Sequence, residues 1–171
     1  MELILDRDPV GGGACRGEER VARRAALATL IAGGLGLVSA TRAETQDRPR
    51  EIVQPGQPAP AEFMRRAFEM QRRAREQGDQ PYGAVVVRNG RIVGEGVSAV
   101  LTRRDPTAHA EVEAIRDACR RLDTSDLSGS EIYASFRPCP MCETACYWAR
   151  VARIVHGADL TDGGAPRYLR C

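Results

Sequence analysis

Residues 137–148 read RPCPMCETACYW and place three cysteines within eight positions, at Cys139, Cys142 and Cys146. Pro138 ends the strand that precedes this stretch, and CPMCETACYWARV, residues 139–151, is predicted to form a short helix. Residues three apart on a helix are neighbours, so Cys139 and Cys142 present their sulfurs on one face. The free N–H groups and the dipole of a helix start favour the thiolate, which is the metal-binding form. The stretch therefore indicates a metal site, a redox pair or simple helix packing.

The third candidate ligand lies thirty residues earlier, in the stretch DPTAHAEVEAIRDACRRL at residues 105–122. Asp105 or Thr107 can cap a helix that has Pro106 in its first turn, which predicts that His109 also lies in a first turn. Two helix starts that meet in one cleft would supply one nitrogen and two sulfurs. This distant histidine favours zinc over a redox pair.

One histidine and two cysteines leave a tetrahedral zinc one protein ligand short. Structural zinc sites usually have four protein ligands, whereas catalytic sites keep a position for water. Cys146 lies a full turn beyond Cys142, a displacement of about 5 Å, which makes it a poor fourth ligand. We therefore predict that Cys146 packs in the core. We predict core packing for Tyr147 and Trp148 as well, with a place in the substrate pocket for one of the two rings as the alternative.

Glu111 follows His109 by two residues and is the predicted catalytic group. A carboxylate beside a zinc site can take a proton from water and hand it to a leaving group. The pattern therefore indicates metal-assisted hydrolysis.

The rest of the chain predicts helices and strands in alternation. Apolar residues recur at helical spacing from Phe63 to Ala74, and Gly78 ends that helix. Two β-rich runs flank Asn89-Gly90, a strong signal for a type I′ hairpin. The order is helix, hairpin, helix, strand, helix, strand. It predicts an α/β layer structure whose sheet is at least partly parallel.

The motifs HAE and PCPMC resemble those of the cytidine deaminase-like zinc deaminase superfamily, over about Pro81 to Asp162. Within it, DPTAHAEVEAIRDAC and CPMC followed by YWAR are most similar to bacterial guanine deaminases and their nucleoside deaminase relatives. The resemblance implies a three-layer αβα sandwich with a mixed central sheet and a homodimer. It also implies zinc on three ligands and one proton shuttle, which are His109, Cys139, Cys142 and Glu111.

The resemblance further implies where a nucleobase or nucleoside substrate binds. Ser98, the backbone of Ala110 and the side chain of Asp162 are the predicted substrate-binding groups. Tyr82 fits core packing and substrate contact about equally well.

The chain departs from the family pattern at three places. Ser98 stands where relatives carry an asparagine that holds a base carbonyl, so base recognition must weaken or reorganise. Arg137 stands where relatives carry glutamate; it could pair with Glu143 or Glu131, or meet an anionic substrate. The chain ends at Cys171, soon after the strand RIVHGAD, where relatives usually continue with a further pocket-closing element.

The N-terminal residues resemble a twin-arginine export signal. Arg23 and Arg24 precede an uncharged run, residues 25–40, which small residues follow. We predict a signal segment over 1–43, a Pro-rich linker over 44–60 and a C-terminally short deaminase domain over 61–171. Export to the periplasm is the expectation, with a cytoplasmic location as its alternative. The apolar run is too short and too rich in glycine to predict a stable membrane span.

The preferred hypothesis is a zinc-dependent hydrolytic deaminase of a purine base, guanine-like, or of a related amino-heterocycle. The alternatives are a deaminase of cytosine, a nucleoside or a tRNA adenosine, and a zinc-bearing module that binds without catalysis. The formal net charge of +2 argues against a nucleic-acid substrate, which usually requires a basic excess.

Overall fold

The computed structural model describes residues 51–168; the predicted signal segment and Cys171 lie outside them. Helices and strands follow in this order: α1 (Pro60–Glu76), β1 (Gly83–Arg88), β2 (Arg91–Val97), α2 (Val100–Arg103), α3 (Ala110–Leu122), β3 (Ser130–Ala134), α4 (Pro140–Trp148), β4 (Arg153–His156) and β5 (Thr161–Gly164). None of the helices in this part of the chain has the length and apolar character needed to cross a bilayer.

The strands form one mixed sheet in the order β2-β1-β3-β4-β5. β1 is antiparallel to both β2 and β3, β3 and β4 are parallel, and β4 and β5 are antiparallel. The parallel pair arises because α4 carries the chain back across one face of the sheet before β4 begins. The predicted α/β class with a mixed central sheet is confirmed.

Each face of the sheet carries its own apolar core, because successive side chains of a strand point to opposite faces. Val85 and Val87 of β1 pack beneath α1 with Phe63 and Met70. Ala84 and Val86 point the other way, into the core formed with α3 and α4. The result is three layers, with α1 on one side of the sheet and both helices of the HAE and CPMC motifs on the other.

The hairpin between β1 and β2 turns at Asn89-Gly90, as predicted. Both residues have positive φ, 52° and 71°, which a type I′ turn requires. Glycine adopts this conformation freely and asparagine tolerates it, which explains the sequence signal.

The predicted start of the helix after residue 105 was wrong. α3 begins at Ala110 and His109 occupies the N-cap position in extended conformation. Asp105 does not cap that helix, because its carboxylate accepts bonds from the Thr107 amide (2.8 Å) and hydroxyl (2.7 Å) within its own turn.

α2 and β5 were not predicted; each is only four residues long.

Residues of the predicted linker contact the domain. The Gln54 side-chain amide donates to the Ile92 carbonyl (2.8 Å) and accepts from the Ile92 amide (2.9 Å). β2 is an edge strand, so these bonds satisfy backbone groups that have no neighbouring strand. The domain boundary near residue 60 stays a prediction.

Gly96 of β2 sets how closely the start of α3 approaches the sheet. A Cβ at this position would lie 1.8 Å from the Ala110 carbonyl oxygen and 2.5 Å from the Ala114 amide nitrogen. Both neighbours are backbone atoms, which cannot move aside independently of the helix. We expect Gly96→Ala to lower the free energy of unfolding by about 3 kcal/mol, the upper part of the range for overpacked cores. Urea denaturation followed by circular dichroism measures the change.

Gly56→Ala is the matched control for that substitution, because nothing lies within 4 Å of a Cβ at Gly56 and its φ is not positive. A loss of less than about 0.5 kcal/mol is expected there, as for most surface changes. Equal stability of the two variants would contradict the assigned role of Gly96.

Candidate metal centre and active site

Three predicted ligands from two separate motifs meet at one point. His109 Nδ1 lies 3.7 Å from Cys139 Sγ and 3.5 Å from Cys142 Sγ, and the two sulfurs are 3.6 Å apart. Among the histidine, cysteine and acidic side chains of residues 51–168, these three form a group that can hold a metal ion.

The spacing of these atoms fits tetrahedral zinc. Bonds of about 2.3 Å to sulfur and about 2.0 Å to nitrogen place two sulfurs about 3.8 Å apart, and a sulfur and a nitrogen about 3.5 Å apart. The observed separations of 3.5 to 3.7 Å agree with those values. The triangle of ligand atoms is therefore already the right size for the ion.

The starts of α3 and α4 hold the ligands in place. His109 and Cys139 are the N-cap residues of these helices, both with extended backbone, and Cys142 lies in the first turn of α4. The prediction that two helix starts converge is thus confirmed, with His109 one position before its helix. Cys142 is fully buried, and that burial raises the pKa of its thiol. A bound cation acts in the opposite direction, because it stabilises the thiolate.

Glu111 is buried beside the ligands, and its carboxylate lies 3.5 Å from Cys142 Sγ. Burial raises the pKa of this carboxyl above its ordinary value. A carboxyl group in such a place is suited to carry a proton, because its protonated form is less disfavoured than in water.

The other cysteines of these helices are packing residues. Cys146 is fully buried in the core beneath α3 and α4, as predicted. Cys119 is half-buried against the same core.

Ser98 directly follows β2 and is fully buried. Its hydroxyl donates to Asp79 Oδ1 (3.0 Å), so its only proton is already used within the protein. Its role in binding a base stays a prediction. Ala110 is the first residue of α3 and is also fully buried.

Arg137, Asp162 and Tyr82 lie at the surface. Arg137 and Asp162 line a pocket of about 300 Å³ beside the start of α4, and Asp162 is bound by both ends of the Arg153 guanidinium (3.0 and 2.6 Å). This pairing holds the pKa of Asp162 low, at about 2. Tyr82 is partly exposed, with its ring 6.2 Å from that of Phe136.

The suggested pairing of Arg137 with Glu143 or Glu131 was wrong. Glu143 instead accepts from the Arg167 amide (3.2 Å), and Glu131 accepts from the Tyr133 hydroxyl (2.7 Å). Within residues 51–168, Arg137 makes no ion pair.

The predicted burial of Tyr147 and Trp148 was also wrong. Their side chains are 44% and 67% exposed, and they form an aromatic cluster with Tyr168 whose ring centroids are 5.5 to 5.8 Å apart. They lie at the end of α4, where the side of the helix that faces the core is already occupied by Cys142 and Cys146.

These features define a class of protein: a three-layer α/β fold that carries a zinc site with three protein ligands and a buried carboxylate beside it. Such sites belong to the catalytic type, because a coordination position is left for water. Residues 59–158 match the family model described as the cytidine and deoxycytidylate deaminase zinc-binding region, and the chain belongs to that family. Zinc is therefore the metal of the His109, Cys139 and Cys142 site.

Similar proteins include two kinds of deaminase. Guanine deaminase of Bacillus subtilis (strain 168) is 50% identical over 82 residues, which are 48% of this chain and 53% of that protein. The tRNA-specific adenosine deaminase of Aquifex aeolicus (strain VF5) is 41% identical over 103 residues, 60% of this chain and 68% of that protein. The chain thus spans about half the length of the guanine deaminase it matches.

Comparison with solved structures also finds a guanine deaminase. The X-ray structure of guanine deaminase from Bacillus subtilis superimposes with a TM-score of 0.55 at 44% identity, over 57% of this chain and 62% of that one. The similarity between this chain and that structure supports the predicted cytidine deaminase-like sandwich.

Proposed function

We propose that the protein is a zinc-dependent hydrolytic deaminase of a purine base, guanine-like, or of a related amino-heterocycle. One observation carries the proposal: Glu111 is buried against a three-ligand zinc site that has no fourth side-chain ligand among residues 51–168. The similarity to guanine deaminase supports the purine base as substrate.

In the proposed reaction, three residues bind zinc and one carries protons. Zinc, when bound, supplies the Lewis acidity that makes water a nucleophile near neutral pH. His109, Cys139 and Cys142 would hold it. Glu111 takes one proton from the attacking water and gives it to the ring nitrogen, then takes the second proton of that water and gives it to the departing amine, so that the C–NH₂ group becomes a carbonyl and ammonia leaves. Burial of Glu111 supports this role because it raises the pKa of the carboxyl above its ordinary value, which makes the protonated form more accessible.

Release of ammonia from a panel of substrates tests the proposal. The zinc-loaded protein is offered guanine, adenine, cytosine, their nucleosides and their monophosphates, with a tRNA as a separate arm. Turnover of guanine above the others is the expected result. Turnover of the tRNA alone would assign the substrate of the adenosine deaminase relatives instead. If no compound releases ammonia although one zinc is bound per chain, the result would refute the deaminase and support a zinc-bearing module that binds without catalysis.

The monophosphate arm of the panel addresses Arg137. Its guanidinium has no carboxylate partner within residues 51–168 and lines the pocket beside α4. If Arg137 binds an anionic substrate, a nucleoside monophosphate will compete with guanine for the wild-type protein. The same monophosphate will compete less well for Arg137→Ala, because the guanidinium that binds the phosphate is gone. Equal competition in both proteins would remove Arg137 from substrate binding.

We also propose that the chain forms a homodimer through the surface that carries Trp148, because this large ring is 67% exposed beside Tyr147 and Tyr168. Burial of such aromatic residues often dominates the energy of an interface. Trp148→Ser is expected to weaken the dimer at least about 30-fold, the equivalent of about 2 kcal/mol. Sedimentation equilibrium measures the dissociation constant.

Val53→Ser is the control for the dimer, because Val53 is equally exposed but lies before α1. Its dissociation constant should match that of the wild type. A monomeric wild-type protein at micromolar concentration would refute the dimer.

We further propose export through the segment 1–43, on the strength of Arg23, Arg24 and the uncharged run that follows. Exported protein should then begin near Thr41 or Glu44 when sequenced from its N-terminus. A retained Met1 on the functional protein would refute cleavage of a signal.

A further inference from the structure

Asp79, in the turn between α1 and β1, accepts an unusual number of hydrogen bonds for one buried side chain. Its Oδ2 accepts from the Leu101 amide (3.0 Å), the Thr102 amide (2.8 Å) and the Thr102 hydroxyl (2.9 Å). Its Oδ1 accepts from the Ser98 hydroxyl (3.0 Å) and the Gln80 amide (2.8 Å). Only 7% of the residue is exposed, so these bonds replace its hydration.

The bonds act as a cap supplied from outside the helix. Leu101 and Thr102 follow Val100 at the start of α2, where amide groups lack partners inside the helix. The N-cap residue, Ala99, has no side chain able to fill that role. The same donors hold the pKa of Asp79 far below its ordinary value, so the carboxylate is charged and its bonds are of the stronger, charge-assisted kind.

The segment that Asp79 binds leads directly to the metal site. Ala99 donates its amide to the Ala108 carbonyl (3.0 Å), which joins the end of β2 to the residue before His109. Ser98 donates its amide to the Tyr82 carbonyl (3.2 Å) and so joins the same segment to the start of β1. Residues 98–108 therefore form a loop held at its base by backbone bonds and at its middle by Asp79.

We propose that Asp79 is a positioning residue for the zinc centre: by holding residues 98–108 it fixes the direction in which His109 presents its imidazole to the two cysteines. The inference deepens the proposed function, because it concerns the same site. The role of Asp79 is tested by measuring metal binding. A negative result for Asp79 can therefore be distinguished from an absence of deaminase activity.

Asp79→Asn removes the feature with little change of shape. An amide has one acceptor oxygen, so whichever way it turns it cannot accept from both groups of donors. We expect zinc to bind about 10-fold more weakly, the lower end of the effect of losing a group that orients metal ligands. Competition with a chromophoric chelator measures the affinity. In the cobalt(II)-substituted protein we expect the visible d–d bands to shift, because the histidine is displaced.

Asp126→Asn is the matched control. The Asp126 carboxylate also accepts from the amide and hydroxyl of one residue, Ser128, but in the loop between α3 and β3. Its zinc affinity and cobalt spectrum should equal those of the wild type. An equal weakening in both variants would overturn the proposal.

A merely structural role for Asp79 predicts a different result. The melting temperature of Asp79→Asn would fall while its zinc affinity and cobalt spectrum stayed unchanged, and that outcome would also overturn the proposal. If Asp79→Asn does not fold, Thr102→Val and Ser98→Ala each delete a single hydroxyl donor to the carboxylate. Both should shift the cobalt bands in the same direction by a smaller amount; unshifted bands in both variants would refute the role of Asp79.

Discussion

Cys142→Ala is expected to weaken zinc binding by more than about 100-fold, which exceeds the usual cost of removing an outer-shell group. Cys142 supplies one of only three ligand atoms, and its sulfur lies 3.6 Å from that of Cys139 and 3.5 Å from His109 Nδ1. Without this sulfur only two protein ligands would remain, one fewer than catalytic zinc sites usually have. Zinc content after dialysis against a weak chelator, measured by atomic emission, checks the result. Deaminase activity is expected to disappear with the metal.

Cys146→Ala separates loss of a ligand from damage to α4. Cys146 lies one turn further along the same helix and is equally buried, with its side chain in the apolar core. Its replacement leaves a small cavity, and we expect a modest loss of stability with a full complement of zinc. Loss of zinc from this variant as well would mean that Cys146 takes part in the site.

Glu111→Gln is expected to lower kcat by about 10²- to 10⁴-fold, the range for removal of a general acid–base group. Glutamine keeps the size of the side chain but cannot accept and return a proton. Because Glu111 is not one of the three metal-binding side chains, zinc content should stay at that of the wild type. Steady-state kinetics of ammonia release, with zinc content measured on the same sample, distinguish loss of chemistry from loss of metal.

Glu113→Gln provides the comparison on the same helix. Glu113 is as buried as Glu111, but its carboxylate pairs with Arg103 (2.7 Å) and Arg116 (2.6 Å). Some stability is expected to be lost there, and kcat should change less than about 3-fold. If both variants kept the activity of the wild type, the proposed role of Glu111 would be untenable.

Local patterns in the chain predicted the parts of the fold whose causes are themselves local. Positive φ at Asn89 and Gly90 follows from the residue types, and so does the hairpin. The start of α3 was predicted too early because Asp105 and Thr107 have two local options, a helix cap and a turn of their own. The structure has the turn, beside a segment that Asp79 and Ala99 bind through hydrogen bonds, and the short pattern around Asp105 contains no information about those bonds.

Exposure was the other property that local patterns did not predict. Tyr147 and Trp148 have the composition of core residues, yet they lie on the surface because Cys142 and Cys146 already occupy the inner side of α4. Asp79 was missed for a similar reason. An aspartate after a glycine in a turn is ordinary, and its five donors come from residues up to 23 positions away.

The sequence by itself determined the chemistry of this protein: HAE and PCPMC contain the zinc ligands and the carboxylate, since the residue types and their spacing along each helix start specify what each motif can bind. Only the tertiary structure decided how these groups meet. His109 comes within 3.5 Å of Cys142 because Gly96 lets α3 approach the sheet and Asp79 holds the loop before it. Such contacts join residues that are far apart in the chain, so their distances follow from packing and burial and not from any short pattern of residues.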